Sequence, residues 1–274
     1  MPELPEVETI RRQLGPAVAG RRIQAGGGHP SPKFSAAAHA VGATIGEVRR
    51  RGKYLLVDLD RDRELVIHLG MTGRILLRPV ERGGGGEGPP PDPYLRAWWC
   101  LDGGDRLELA DIRRFGRVAV VPAGDHRSLP TLAALGPEPL SAAFTPEGLY
   151  QAVRRSDVRL KTQLLNQRVV AGVGNIYADE ALWVSGIDPA TRRLSRNRAA
   201  ALHEALRDVL AAAIINGGTT FRDYRTFTGD AGRNQHALRC YGRAGLACLR
   251  CGSELRRRVI DGRSTTSCPS CQRR

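Results

Sequence analysis

The chain has 274 residues, with 42 Lys+Arg against 28 Asp+Glu and a formal net charge of +14, long enough for two ordinary domains and a small appendage. So basic a balance, with a pI near 10.4, argues for a polyanionic partner and against a neutral small-molecule substrate, although an arginine-favouring genome would give the same excess. No run of about 18 apolar residues occurs and the start lacks the basic-then-apolar order of a secretory signal, so no membrane is expected and the protein is expected to be soluble and cytoplasmic.

Leu4, Val7, Ile10 and Leu14 recur at helical spacing behind Pro2, Pro5 and an acidic first turn. A helix is therefore expected from about residue 2 until Gly15-Pro16 stops it. From about 20 to 122 short alternating runs, among them 53–60, 64–69, 74–80, 106–110 and 117–121, are separated by glycine-rich turns, the pattern of an antiparallel β-domain and most simply a sandwich. Residues 81–93 are mostly Gly and Pro and read as a mobile surface loop without chemistry of its own. Beyond a connector near 122–130, the segments 146–155, 160–167, 176–184 and 195–216 carry apolar residues at helical spacing. The expected fold class is α+β multidomain, with a helix and β-sandwich in 1–125, a helical domain in 126–235 and a metal-held tail in 236–274.

That tail reads Cys248-x2-Cys251-x16-Cys268-x2-Cys271. Two close thiolate pairs of this kind wrap one tetrahedral zinc between two turns, here expected at hairpin tips. The tail has few large apolar residues, whereas structural zinc supplies on the order of 10–16 kcal/mol of apparent binding energy, so the metal is a folding element. Four cysteines leave no open position for a reacting water. Arg250, Arg256, Arg257, Arg258, Arg263, Arg273 and Arg274 make the finger a plausible grip on phosphates. Cys100 and Cys240 are left over, each read as a buried small side chain.

The opening Met1-Pro2-Glu3-Leu4-Pro5-Glu6 has a plain reading as a helix start with acids facing the macrodipole. It has a chemical one as well. Methionine is normally removed before a small residue, leaving Pro2 with a free secondary amine. An α-amino group has a pKa of about 7.7–8.0 against about 10.4 for lysine, so far more of it is neutral at pH 7. Attack on the sugar carbon that holds a base would give a Schiff-base intermediate, with Glu3 placed to act as general acid.

With Arg51-Gly52-Lys53-Tyr54-Leu55, His68-Leu69-Gly70-Met71-Thr72-Gly73, Asp111-Ile112-Arg113-Arg114-Phe115-Gly116, Leu135-Gly136-Pro137-Glu138-Pro139-Leu140, Gly172-Val173-Gly174-Asn175-Ile176-Tyr177, Tyr241-Gly242-Arg243 and the finger in one order along the chain, the sequence resembles the bacterial formamidopyrimidine-DNA glycosylase family. Gly172-Val173-Gly174-Asn175 follows a helical pattern and lacks full G-x-G-x-x-G spacing, so a dinucleotide site is not expected.

The resemblance implies a catalytic β-sandwich, a helix-two-turns-helix module and a zinc finger. It also implies excision of oxidised purines, 8-oxoguanine and formamidopyrimidines, from duplex DNA by a nucleoid-associated monomer that then cuts the strand, with one structural zinc and no catalytic metal. By matching motif, Pro2 is the nucleophile, Glu3 the proton donor and Lys53 the lysine of the phosphate and of β-elimination. Asn175 and Arg263 pinch the phosphates beside the flipped nucleotide, and Arg263 protonates for δ-elimination. Met71, Arg113 and Phe115 fill the gap that the nucleotide leaves.

Two places depart from the family pattern. Tyr94 stands where the family has a phosphate-contacting histidine, keeping one hydrogen bond without the charge. Ala231-Gly232-Arg233-Asn234-Gln235 replaces the Pro-Gly-Tyr/Phe segment of the mobile lesion-capping loop. Two rivals are an endonuclease VIII-type enzyme for oxidised pyrimidines, against which Lys53, Met71 and the Arg113/Phe115 pair weigh, and a non-catalytic lesion-binding zinc protein, against which Pro2, Glu3 and Lys53 weigh.

Overall fold

The computed structural model describes residues 1–79 and 92–274, so most of the loop expected over 81–93 lies outside the described residues. The chain divides into two compact units, Met1–Ala133 with Thr219–Gly232 and Ala134–Gly218 with Arg233–Arg274.

The first unit opens with helix α1 (Leu4–Val18). Two antiparallel four-stranded sheets follow, ordered β1-β6-β7-β5 and β2-β3-β4-β8. Their strands are β1 (Ile23–Gly28), β2 (Ile45–Arg51), β3 (Tyr54–Leu59), β4 (Arg63–His68), β5 (Arg74–Pro79), β6 (Leu95–Leu101), β7 (Asp105–Ala110) and β8 (Arg117–Pro122), and the short α2 (Pro130–Ala133) closes the run. This is the expected sandwich. Leu55, Val57, Leu65 and Ile67 of one sheet and Ala97, Trp99, Leu107 and Leu109 of the other share a core with Val7, Ile10, Leu14 and Val18 of α1. The indole of Trp99 donates to the Ala37 carbonyl at 2.9 Å, so its buried N–H is satisfied.

Three expectations change. Gly15-Pro16 does not end α1, which runs on to Val18 with Pro16 inside it. A proline there forfeits its own hydrogen bond and crowds the carbonyl of Arg12, a cost that burial of Leu14 and Val18 offsets. Strand β1 is half glycine and is not among the runs named from sequence; it pairs antiparallel with β6, and Gly28 is required there because a Cβ would stand 2.1 Å from the Phe34 carbonyl oxygen. Cys100 is part-exposed, unlike buried Cys240. It lies between Trp99 and Leu101, which face the core, so strand alternation turns it outward.

The second unit holds α3 (Pro146–Arg154), α4 (Leu160–Leu165), α5 (Asn175–Val184), α6 (Arg196–Ile215) and the hairpin β9 (Arg256–Ile260)–β10 (Arg263–Ser267). Thr145 caps α3, its hydroxyl accepting from the Gly148 amide at 3.0 Å, and Ser195 caps α6 in the same way at 3.3 Å. α4 ends at Leu165, earlier than its apolar spacing suggests, because Gln167 takes a left-handed φ of 66°. Leu160, Leu164, Tyr177, Leu182, Leu202, Leu206 and Leu210 form this unit's core. Among the described residues no helix is long and apolar enough to cross a membrane.

Candidate active site and DNA interface

Pro2 and Glu3 are buried directly before α1. Glu3 is the helix N-cap, and its amide donates to the Glu6 carboxylate at 2.8 Å. The other Glu6 oxygen accepts from the Thr219 amide at 2.7 Å, so one buried carboxylate ties the start of the chain to the 219–232 segment.

A second strap starts one turn later. Glu8 receives Arg50 at 3.0 Å, and Arg50 donates to the Gly52 carbonyl at 3.1 Å. Burial alone would raise the Glu8 carboxyl, but hydrogen bonds from Arg11 and Arg12 hold it at about 2, so it is ionised at any working pH. Gly52 and Lys53 form the two-residue turn between β2 and β3, with Gly52 at a left-handed φ of 56°. Lys53 is buried at this turn. Burial first, and then the charge of Lys53, push His68 down to about 4, leaving its imidazole neutral at pH 7. The strap thus links the helix that carries Pro2 and Glu3 to the turn that carries Lys53.

The turn after β4 bears Met71, part-exposed, and the turn before β8 bears Arg113 and Phe115, both exposed. The Arg113 guanidinium lies 4.7 Å from the Phe115 ring centroid, a planar cation stacked on an aromatic face. Phe115 is 49% exposed, an unusual position for a phenylalanine with no apolar cover. Tyr94 is exposed too, just before β6, and its carbonyl accepts from the Asp111 amide at 2.8 Å.

In the second unit Asn175 begins α5, its Nδ2 donating to the Ser264 carbonyl at 3.0 Å, and exposed Arg263 is the residue before Ser264 at the start of β10. The same carbonyl accepts from Lys161 Nζ at 2.9 Å. Lys161 also reaches the Thr265 hydroxyl at 2.9 Å and pairs with Asp179 at 2.6 Å, both charged groups being fully buried. The other Asp179 oxygen accepts from the Thr266 amide. Thr162 and Arg159 bind Asp261 at the hairpin turn. Asn175 and Arg263 are therefore placed by one network.

Burial pushes the Asp179 carboxyl up to about 6 despite Lys161. Lys161→Met would leave that carboxyl alone inside the unit, and a stability loss of about 3–5 kcal/mol is expected in urea melts. An apolar double replacement, Lys161→Met with Asp179→Leu, should recover part of it, the Thr266 amide staying unpaired; a single variant as stable as the parent would contradict the pairing.

The four sulfurs of Cys248, Cys251, Cys268 and Cys271 lie within 4.8 Å of one another, with Cys251 and Cys268 at 3.6 Å. Tetrahedral zinc–thiolate geometry requires sulfur separations of about 3.8 Å, so the set fits one structural zinc. The Trp183 indole donates to Cys248 Sγ at 3.4 Å, the kind of outer contact that orients a ligand. Only the first pair matches the expected position, in a turn closed by the Ala247–Glu254 bridge. Cys268 and Cys271 follow β10 at the open end of the β9–β10 hairpin, because Arg256–Ser267 is consumed in pairing.

Sequence reasoning missed Glu6, Glu8, Arg50, Lys161 and Asp179. No spacing rule reveals their partners: Glu8 meets Arg50 from 42 residues away, and Lys161 meets Asp179 from another helix. Asn234, in the departing loop segment, is buried and accepts from Asn216 Nδ2 at 3.1 Å, which gives that residue a packing role at the neck of the loop.

Residues 1–118 match the formamidopyrimidine-DNA glycosylase N-terminal domain, 135–225 the H2TH domain of the same glycosylases, and 245–274 the zinc finger found in FPG and IleRS. The chain is 45% identical over 276 residues to the formamidopyrimidine-DNA glycosylase of Thermus thermophilus, covering 99% of this chain and 98% of that one. The crystal structure of MutM (Fpg) from that organism has a TM-score of 0.89 with it over 99% and 98% of the two chains. Lactococcus lactis Fpg in complex with abasic-site DNA is 33% identical, with a TM-score of 0.88 over 99% of this chain and 100% of that one. MutM bound to DNA containing carbocyclic 8-oxo-G is 32% identical, with a TM-score of 0.88 over the whole of both chains.

Proposed function

This chain belongs to the formamidopyrimidine-DNA glycosylase family, and on that premise we propose that it excises oxidised purines from duplex DNA and then cleaves the strand as an abasic-site lyase. The observation that carries the mechanism is the pairing of buried Pro2 and Glu3 with a Lys53 turn strapped to the same helix through Glu8 and Arg50. We take 1–125, 126–235 and 236–274 as the catalytic, helix-two-turns-helix and zinc-finger domains of a cytoplasmic monomer.

After Met1 is removed, the neutral Pro2 nitrogen attacks C1′ of the damaged nucleotide as the bond to the base breaks, and the proton that the nitrogen sheds leaves with the base. Glu3 then delivers a proton to the ring oxygen as the sugar ring opens, leaving an iminium between Pro2 and the sugar. Loss of a C2′ proton expels the 3′ phosphate, with Lys53 at the phosphate, and a second elimination expels the 5′ phosphate, with Arg263 donating the proton. Asn175, Arg263 and Tyr94 hold phosphates, while Met71, Arg113 and Phe115 occupy the emptied stack. Unstacking a base costs a few kcal/mol, which an apolar wedge with a planar cation can partly replace. The finger's zinc supplies rigidity to its arginines when bound and takes no part in these bond changes.

Duplexes carrying 8-oxoguanine or an oxidised pyrimidine, incubated in parallel with and without borohydride, test the assignment. Faster excision of the purine and phosphates at both ends of the gap are expected without borohydride, and a trapped protein–DNA adduct with it. Faster excision of the pyrimidine would favour the endonuclease VIII-type reading, and no adduct would favour a binding protein.

A further inference from the structure

Met71 stands on one turn and Arg113 and Phe115 on another, far along the chain, so a wedge built from all three needs something that keeps the two turns in register. Thr72 and Asp111 do this. The Thr72 hydroxyl donates to Asp111 Oδ1 at 2.5 Å, and its oxygen accepts the Arg113 amide at 3.0 Å. The second Asp111 oxygen accepts the Gly116 amide at 2.7 Å, and Arg96 Nε donates to the Asp111 carbonyl at 2.8 Å. Asp111 is wholly buried and Thr72 is 8% exposed, so neither is placed to touch DNA itself.

Main chain meets main chain around this clamp. A Cβ at Gly70 would lie 2.4 Å from the Gly116 nitrogen, and one at Gly116 would lie 2.9 Å from the His68 carbonyl oxygen. Arg114, between the two wedge residues of the second turn, holds a left-handed φ of 54°, and Lys33 Nζ donates to its carbonyl at 2.9 Å. Each end of the second turn is thus pinned, while the side chains of Arg113 and Phe115 stack on each other in solvent.

We propose that Thr72 and Asp111 are positioning residues that hold Met71, Arg113 and Phe115 as one preformed wedge. Gap filling then needs no ordering of either turn when DNA arrives, and the binding energy goes into extruding the nucleotide. The proposal rests on the wedge role given above to those three residues.

Thr72→Val keeps the shape and removes the hydroxyl, Thr72→Ser restores it, and Asp111→Asn keeps the volume while removing the charge. Single-turnover excision of 8-oxoguanine is compared with cleavage at a preformed abasic site, which has no base left to expel, and Met71→Ala is run beside them. Thr72→Val and Asp111→Asn should each slow excision about tenfold, the size of a lost buried hydrogen bond, with abasic-site cleavage within about twofold and Thr72→Ser near the parent.

Unchanged excision in both Thr72→Val and Asp111→Asn, or an equal fall on both substrates, would overturn the positioning role. If Met71→Ala slows excision while Thr72→Val does not, the wedge stands and the clamp falls. If Met71→Ala changes nothing, the wedge reading fails first and the clamp with it.

Discussion

Replacing Glu3 with glutamine is expected to slow excision of 8-oxoguanine by about 10²–10⁴-fold, the range general acid catalysis contributes, while lesion DNA still binds within a few-fold. The substitution is nearly isosteric, and a glutamine oxygen can still accept from the Glu6 amide as the Glu3 carboxylate does in the capping box. The backbone amide of residue 3 is held by Glu6, which is held in turn by the Thr219 amide. What the amide side chain lacks is a proton to give as the sugar ring opens. Single-turnover excision beside a gel-shift titration separates the two effects. Equal loss of binding and excision would mean that Glu3 serves the architecture, and parental excision would remove it from the mechanism.

Loss of the finger's metal should have the second largest effect. Cys268→Ser, or dialysis against a strong chelator, is expected to weaken lesion-DNA binding by at least about a hundredfold, because structural zinc supplies on the order of 10–16 kcal/mol that burial cannot replace. The cluster around the site holds Trp183 and Leu255 with the cysteines Cys240, Cys248 and Cys268, too little apolar surface to fold a hairpin unaided. Since the Trp183 indole rests on Cys248 Sγ, its fluorescence should change as the metal leaves. The salt dependence of binding should flatten at the same time, as Arg263 and its neighbours stop releasing counterions. Tight, steeply salt-dependent binding by metal-free protein would show that the finger does not grip phosphate.

The parts of this molecule that repeat at short range are written openly in its sequence. Four cysteines in two pairs and Thr145-Pro146 at a helix start each carry a local rule, and the sulfurs gather and the helix begins accordingly. Local rules fail where tertiary contact overrides them. Pro16 remains helical because Val18 is buried, and glycine-rich β1 is a strand because it pairs along β6.

The site divides along the same line. Pro2, Glu3, Lys53, Asn175 and Arg263 stand in short motifs and can be named from sequence. The groups that place them cannot. Lys161 and Asp179 are 18 residues apart on different helices, and Thr72 and Asp111 are 39 apart on different turns; only folding shows that each pair meets. Met71 and Phe115 look like core residues until the structure leaves Phe115 half in solvent.

The most direct test of the central claim is to locate the borohydride-trapped sugar on the protein by mass spectrometry of its tryptic peptides. The adduct is expected on a peptide that begins at Pro2, with Met1 absent, and ends at Arg11. An adduct on Lys53 instead, or full activity in protein that retains Met1, would contradict the mechanism.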